Sequence, residues 1–290
     1  MSAYRITTDS TVDLNPSRMR ELDIPYVALH FLLEGKDITD DMTEATAKML
    51  YDAMREGKVS TTSQATVESF VELWTPILEN GEDILYIGFS SALSGTVNSS
   101  VLARQQLLEK YPDRKIFIID SLCASSGEGM IVEHAAALKE GGMELEALYQ
   151  EIETRKMKVH HWFTVDDLVY LRRGGRVSGA AALFASLLSI KPVMNTNSEG
   201  KLIPREKIKG RRGAIKRLYE LLVEKIDQTA TTFINISHAD CIEDANQLKQ
   251  LIHEGYPHLP VNIYSVGAVI GSHSGPGTLA LFFMGTPRTV

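Results

Sequence analysis

A cluster of hydroxyl side chains in the segment GFSSALSGT is the first candidate binding site in this sequence. Ser90, Ser91, Ser94 and Thr96 follow a short apolar run and precede a segment with helical spacing. A loop in that position delivers its side chains at the N-terminal end of a helix, where free backbone N–H groups and the helix dipole favour an anion. Gly95 permits close backbone approach. We therefore predict a site for an anionic group.

Helix capping is the plainer alternative, because Ser94 or Thr96 alone is a common N-cap residue. Four hydroxyls in seven positions are more than a cap requires, so we favour the anion site. The cluster lacks the lysine that follows the glycines of a phosphate-binding P-loop. A kinase that binds ATP by itself is therefore disfavoured.

A second hydroxyl cluster, TTSQ, contains Thr62 and Ser63 and directly precedes an amphipathic helix predicted over 67–80. Ser63 or Thr66 alone is explained by capping. The arrangement nevertheless repeats that of the first cluster. Two such loops can meet at one crevice of an α/β fold.

A histidine between two serines forms the third candidate. His273 lies in the segment GSHSGPG, whose glycines and proline predict an irregular loop around the imidazole. A single histidine is more often a structural hydrogen-bonding group than a functional one. In this setting an imidazole can meet a ligand, so we favour the functional interpretation.

A serine hydrolase is the main alternative, with Ser90 or Ser94 as the nucleophile and His273 as the base. The segment GFSSA nearly matches the G-x-S-x-G elbow, but Ala92 replaces its last glycine. No acidic partner for the histidine is evident in the sequence.

The elements that must position these residues alternate between strand and helix. Residues 84–87 are apolar without alternation, as is typical of a strand buried on both faces in a parallel sheet. Further strands over 4–8, 24–33 and 115–120, with helices between them, predict a doubly wound N-terminal α/β domain with a mostly parallel sheet.

The character of the sequence changes near residue 156, around the end of a predicted amphipathic helix. This change predicts two domains, 1–156 and 157–290. In the second domain, strands flank a hairpin turn at 197–200 and a helix at 242–252, which predicts another α/β unit with a mixed sheet and helices. The alanine-rich, apolar segment 178–190 predicts a helix that is buried or lines an apolar cavity.

Composition excludes several classes of function. With 290 residues, 44% of them hydrophobic, the chain can bury two cores, and its net charge of −7 argues against broad nucleic-acid binding. Cys123 and Cys241 form no metal-binding pattern. We find no signal-like N-terminal segment and no apolar run long enough to span a bilayer, so we expect a cytoplasmic protein without stable membrane insertion.

Two basic segments are candidates for partner docking. One contains Arg172, Arg173 and Arg176, and the other contains Arg211 and Arg212. The first segment also contains Gly174 and Gly175 and is predicted to be flexible; for the second, a solvated basic face and a docking patch for an acidic partner explain the charges equally well.

Taken together, the motifs resemble those of the DegV family, the fatty-acid-binding subunits of bacterial fatty acid kinase. The resemblance runs over nearly the whole chain. It rests on TTDSTVDL at 7–14, TTSQ at 61–64, SSALSGT at 90–96, IDS and SGEG within 119–129, DDLVYLRRGGRVS at 166–178 and GSHSGPG at 271–277.

The resemblance implies two α/β domains that enclose one long-chain fatty acid in a tunnel between them. It implies that the carboxylate is held by Thr62, Ser94 and His273, with Arg176 near the head group. Ser63, Ser91 and Gly95, from the same two clusters, complete the candidate ligand-binding set.

The family resemblance also implies that this chain is no catalyst and needs no cofactor or metal. The resemblance implies that the chain presents the fatty acid to an ATP-dependent kinase subunit, holds the acyl-phosphate and passes it to an acyltransferase of phospholipid synthesis. Physical estimates are consistent with such a carrier. Burial of a sixteen-carbon tail contributes on the order of 10 kcal/mol gross, and hydroxyl and imidazole donors replace the water around the carboxylate.

Overall fold

The computed structural model of the protein describes residues 3–177 and 189–289. Its N-terminal elements are, in order, β1 (Tyr4–Asp9), α1 (Pro16–Glu21), β2 (Tyr26–Val27), β3 (His30–Leu33), β4 (Lys36–Thr39), α2 (Glu44–Arg55), β5 (Ser60–Ser63), α3 (Val67–Glu79), β6 (Asp83–Gly88), α4 (Thr96–Lys110), β7 (Ile116–Asp120), α5 (Ser126–Glu140) and α6 (Leu145–Arg155). The remaining elements are β8 (Val159–Thr164), α7 (Val169–Arg173), β9 (Ile190–Thr196), β10 (Leu202–Lys209), α8 (Arg211–Lys225), β11 (Ile234–His238), α9 (Ile242–Gly255), β12 (Val261–Ser265), α10 (Ala268–Ser274) and β13 (Leu279–Met284).

The first sheet has four parallel strands in the order β2, β1, β6, β7. β6 is buried along its whole length, as predicted for a strand covered on both faces. Trp74 of α3 and Leu107 of α4 pack on one face, and Ile131 of α5 and Leu148 of α6 pack on the other. This is the predicted doubly wound arrangement.

The second sheet has six strands in the order β10, β9, β8, β13, β11, β12. It is mixed, because β11 and β12 pair in parallel whereas the other neighbours pair antiparallel. Along β13, Leu279 and Leu281 pack in the core with α8 and α9, whereas Ala280 and Phe282 face the first domain. The mixed C-terminal sheet predicted from the sequence is therefore confirmed.

Helix α5 lies between the two sheets and contacts strands of both. Its buried residues Met130 and Ile131 belong to a core that also contains Ile6 of β1 and Phe163 of β8. The two α/β domains therefore share an apolar interface. The predicted boundary after residue 156 lies at the end of α6 and stays a prediction.

A third sheet, which the sequence analysis missed, has three antiparallel strands in the order β4, β3, β5. The single strand predicted over 24–33 is wrong in this respect. Its first part, β2, pairs with β1, whereas its second part, β3, turns back at Glu34 and Gly35, both at positive φ. Phe31 packs on Leu50 of α2 in a separate core.

The helix predicted over 178–190 falls mostly outside the described residues. Its last two residues can be compared: Ser189 lies in a turn and Ile190 begins β9, so the predicted helix does not extend over them. The hairpin turn predicted at 197–200 is confirmed, because it joins the antiparallel strands β9 and β10.

Candidate functional site

A cavity of about 210 Å³ lies between the two domains. Its apolar lining includes Phe89, Leu93, Phe163, Leu202, Ala280 and Phe282. Polar side chains of the loop before α4, of β5, of α10 and of the segment after α7 line one part of it, and further polar residues come from β8, from β9 and from the segments before α5 and β13. The cavity is therefore a mostly apolar space with a local group of hydrogen-bonding side chains.

Thr62 and His273 form the first part of that group. Thr62 lies on β5, and its Oγ1 is 2.7 Å from Nε2 of His273. The loop predicted around His273 is wrong, because the residue lies in the last turn of α10. Gly275, at a φ of 80°, ends the helix directly after Ser274.

The surroundings of His273 indicate which of its two ring nitrogens carries the proton. Nδ1 is buried and has no hydrogen-bond partner among the described residues, and an added Cβ on Gly174 would lie 2.1 Å from it. Because an orphaned buried N–H is rarer and costlier than an unused lone pair, we assign the proton to Nε2. That nitrogen then donates to Thr62, whose own hydroxyl proton remains for a ligand.

Burial lowers the pKa of His273 to about 4, and the positive charge of Arg176 adds to the effect. An imidazole with this pKa is neutral at physiological pH. It polarises Thr62 without adding a positive charge to the site.

We expect histidine-selective NMR to show that His273 titrates near pH 4. Because its pKa is about 6.5 in the unfolded chain, its contribution to stability is complete above that pH and is lost as the pH falls towards 4. Urea unfolding of His273→Gln should therefore show a smaller loss of stability between pH 7 and about 4.5 than the parent protein, since the other groups titrate in both. Titration of His273 near 6.5 would contradict this assignment.

Ser94 lies next to Gly95, the N-cap of α4, and lines the cavity. Its Oγ is 2.9 Å from Oγ1 of Thr96 and accepts a hydrogen bond from the Thr96 N–H at 3.3 Å. The N-cap of α4 is Gly95, so Ser94 is not the capping residue, but its hydroxyl accepts the first N–H of the helix and also lines the cavity. The N-terminus of the 15-residue helix α4 adds a favourable field for an anion beside this hydroxyl.

The two hydroxyl clusters meet at this point of the structure. An added Cβ on Gly95 would lie 2.0 Å from Oε1 of Gln64, and Nε2 of Gln64 donates to Ser99 Oγ at 3.0 Å. Glycine at position 95 thus lets the TTSQ segment approach the start of α4. This contact brings Thr62 and Ser94 to the same cavity.

Arg176 supplies the positive charge of the lining. Its Nε donates to the carbonyl oxygen of Leu93 at 3.1 Å and its Nη1 to that of Gly174 at 2.5 Å. Both of these partners are backbone carbonyls, which leave the positive charge of the guanidinium unneutralised. Burial lowers its pKa. This half-buried guanidinium attracts an anion placed in the cavity.

The other predicted site residues occupy different positions. Ser63 lines the cavity although it is largely exposed. Ser91 lies outside the lining and is exposed, and its backbone N–H donates to Oδ1 of Asp120 at 3.1 Å. The cavity thus brings together Thr62, Ser63, Ser94, Gly95, Arg176 and His273, but not Ser91.

The arginines predicted for docking also differ in their surroundings. Arg172 and Arg173 are exposed on α7, and Arg212 is exposed at the start of α8. Arg211 is largely buried and forms an ion pair with Asp244 at 2.8 Å. Arg172, Arg173 and Arg212 are therefore accessible to a partner, whereas Arg211 stabilises the packing of α8 on α9.

Sequence reasoning missed His161, a buried residue of β8 that also lines the cavity. Its Nδ1 is 3.1 Å from the carbonyl oxygen of Val159, and its Nε2 accepts the N–H of Ala124 at 3.3 Å. Burial holds its pKa well below the usual value. Both nitrogens are engaged, so His161 offers a ligand mainly an apolar ring. No pattern in its sequence neighbourhood indicated this role.

The structure does not support the serine hydrolase alternative. Ser90 is buried and its Oγ donates to the carbonyl oxygen of Gly200 at 2.9 Å. Ser94 pairs with Thr96, and His273 pairs with Thr62. Neither serine is therefore hydrogen-bonded to the imidazole, as a nucleophile activated by a base requires.

Within 3–177 and 189–289, no group of three or more histidine, cysteine, aspartate or glutamate side chains is arranged to hold a metal ion. In the same ranges, no helix has the length and apolar character needed to cross a membrane.

Comparisons with known proteins identify relatives over nearly the whole chain. The sequence model of the DegV family, described as "Uncharacterised protein, DegV family", matches residues 3–286. A DegV domain-containing protein of Clostridium perfringens is 44% identical over 289 residues, which cover 99% of each chain.

Solved structures agree with this match. One is a DegV family protein from Thermus thermophilus, for which fatty acid binding is described. Its sequence is 31% identical to this chain, and the two structures superpose with a TM-score of 0.86 over 98% of this chain and 99% of that one. DegV from Bacillus subtilis, described as a fatty acid binding protein, is 29% identical with a TM-score of 0.86, covering 99% of this chain and 100% of that one.

Proposed function

Because the chain belongs to the DegV family, we propose that it is a carrier that binds one long-chain fatty acid in the cavity between its domains. The observation that carries this proposal is the pairing of an apolar cavity with a local group of donors formed by Thr62, Ser94 and Arg176. Related proteins described as fatty-acid-binding share the fold at 29 to 31% identity.

The tail and the head group contribute differently to binding in this proposal. Each methylene that leaves water contributes roughly 0.8 kcal/mol, so the aromatic and aliphatic lining supplies most of the affinity. The carboxylate loses its hydration and needs donors in return. The Thr62 hydroxyl, oriented by His273, and the Ser94 hydroxyl supply them, and Arg176 compensates the charge.

We also propose that the chain presents the carboxylate to a separate ATP-dependent kinase and carries the resulting acyl-phosphate to an acyltransferase. The chemistry of the donor group is consistent with a carrier. Neutral hydroxyls bind a carboxylate and a phosphate alike, which lets the ligand change while it stays bound. The cavity-facing serine lacks the base that acyl transfer by the chain itself would require.

Mass spectrometry of lipids extracted from the purified protein tests the binding proposal. We expect about one long-chain fatty acid per chain, with a serine-directed phosphonate probe leaving the protein unlabelled. Absence of any fatty acid, together with failure to take up added palmitate or oleate, would reject the carrier function. Stoichiometric labelling of Ser90 or Ser94 would indicate a hydrolase instead.

Charge reversal on α7 tests the docking part of the proposal. We expect Arg172→Glu combined with Arg173→Glu to lower ATP-dependent acyl-phosphate formation by the kinase subunit about tenfold while fatty acid affinity changes less than about twofold, because both side chains are exposed. Lys36→Glu, which reverses an exposed charge on β4, is the control. Equal losses of transfer and lipid binding would argue against docking at α7.

A further inference from the structure

Helix α10, which carries His273, has no side-chain cap of its own. Its first N–H groups instead meet two carboxylates of the N-terminal domain. The Gly267 N–H donates to Oδ1 of Asp13 at 2.9 Å, and the Val269 N–H donates to Oδ2 of Asp40 at 3.1 Å. The helix is thus capped by residues more than 200 positions away in the chain.

Both carboxylates are held in place and converge on one point. Asp13 is 3% exposed and its Oδ2 accepts the hydroxyl of Ser125; Asp40 is 1% exposed and its Oδ1 accepts the Met42 N–H at 3.2 Å. An added Cβ on Gly267 would lie 2.8 Å from Asp13 Oδ1 and 3.2 Å from Asp40 Oδ2. The start of α10 is therefore fixed between them.

Other contacts of α10 also come from the N-terminal domain. The hydroxyl of Tyr51 donates to the carbonyl oxygen of Val266 at 2.7 Å, and the hydroxyls of Ser60 and Ser272 are 2.8 Å apart. α10 follows β12 in the chain and also packs against α7, yet the contacts at its start come from the domain that carries Thr62.

We propose that Asp13 and Asp40 are positioning residues that fix α10. Through the helix they hold His273 within hydrogen-bonding distance of Thr62. The helix spans about 9 Å from Gly267 to His273 and is rigid over that length, so a shift at its start is transmitted to the imidazole. A displacement of about 1 Å is enough to break the 2.7 Å bond to Thr62. This inference rests on the proposed function, because it assigns support to the same head-group site.

The chemistry of Asp13 provides a sharp test. In Asp13→Asn, the amide oxygen can accept from Gly267 and the amide nitrogen can donate to Ser125, and asparagine tolerates the left-handed backbone of this position, where φ is 46°. Burial and the nearby Asp40 and Asp9 raise the pKa of Asp13 well above its usual value, so a neutral side chain suits the site. Asp13→Ala loses both contacts.

We expect Asp13→Ala to weaken palmitate binding about tenfold and to change the Nε2 resonance of His273. Asp13→Asn should bind palmitate within about twofold of the parent affinity and leave that resonance unchanged. Gly267→Ala, whose Cβ would push against Asp13, should reproduce the loss and provides the test if Asp13→Ala does not fold. Leu218→Ala, in the core of α8, is the control for general destabilisation and should leave the His273 resonance unchanged.

The outcomes separate this inference from the proposed function. If the parent protein binds palmitate, and Asp13→Ala and Gly267→Ala bind it equally well with an unchanged His273 resonance, the positioning role is wrong and the carrier function stands. If the parent protein binds no palmitate although the His273 resonance responds to Asp13→Ala as expected, the carrier function fails and the support of α10 stands.

Discussion

Ser94→Ala is expected to weaken binding of a long-chain fatty acid about 10- to 100-fold while the protein keeps its fold. The hydroxyl of Ser94 lines the cavity beside the N-terminus of α4. A hydrogen bond to a charged group contributes about 1.5 to 3 kcal/mol, and its loss leaves a buried carboxylate short of one donor. Equilibrium binding of radiolabelled palmitate, combined with thermal unfolding, measures both effects.

Ser91→Ala is the matched control for this substitution. The same hydroxyl is removed from the same segment, three positions earlier, but Ser91 is exposed and lies outside the cavity lining. We expect its affinity for palmitate to stay within about twofold of the parent value. Equal affinities of the parent, Ser91→Ala and Ser94→Ala would remove Ser94 from the site.

Ala280→Leu is expected to abolish fatty acid retention while its melting temperature stays at or above that of the delipidated parent protein. Ala280 lies on the face of β13 towards the first domain and lines the cavity. A leucine there occupies space that the acyl chain needs, and filling an apolar cavity stabilises a protein or leaves its stability unchanged. The purified variant should contain close to no extractable fatty acid.

A substitution on the opposite face of the same strand separates cavity filling from general disturbance of β13. Leu281 packs in the core with α8 and α9, and Leu281→Met conserves its volume. This control should retain its fatty acid. Normal retention by Ala280→Leu would mean that the acyl chain does not occupy this cavity.

The sequence predicts the framework of the fold well, because local signals and the global arrangement agree there. The apolar run of β6 indicated a strand buried on both faces, and the structure buries all of it. An Asn–Pro pair is typical of a helix start, and Asn15 Oδ1 accepts the N–H of Arg18 at 2.8 Å directly before α1. The alternation of strands and helices led to the parallel first sheet.

The sequence predicts less where distant segments decide the structure. The glycines and proline around His273 indicated a loop, yet residues 268–274 are helical because Asp13 and Asp40 cap them from another domain. The strand predicted over 24–33 divides between two sheets, since only its first part can reach β1. Neither effect leaves a local signal.

The candidate site shows the same division. Hydroxyl clusters in loops before helices indicated Thr62 and Ser94, and the contact of Gln64 with Gly95 brings these clusters together. The lining residues Phe163, Phe282 and His161 could not be inferred. Their strands look like ordinary core strands until the second sheet is placed against α5. The assignment of ligand contacts to these residues stays a prediction.

A crystal structure of the protein with bound palmitate is the decisive test of the proposed fatty acid site. We expect the acyl chain in the cavity between the domains and the carboxylate within hydrogen-bonding distance of Thr62 Oγ1 and Ser94 Oγ. A palmitate whose carboxylate lies away from both hydroxyls, or one bound outside the cavity, would contradict it.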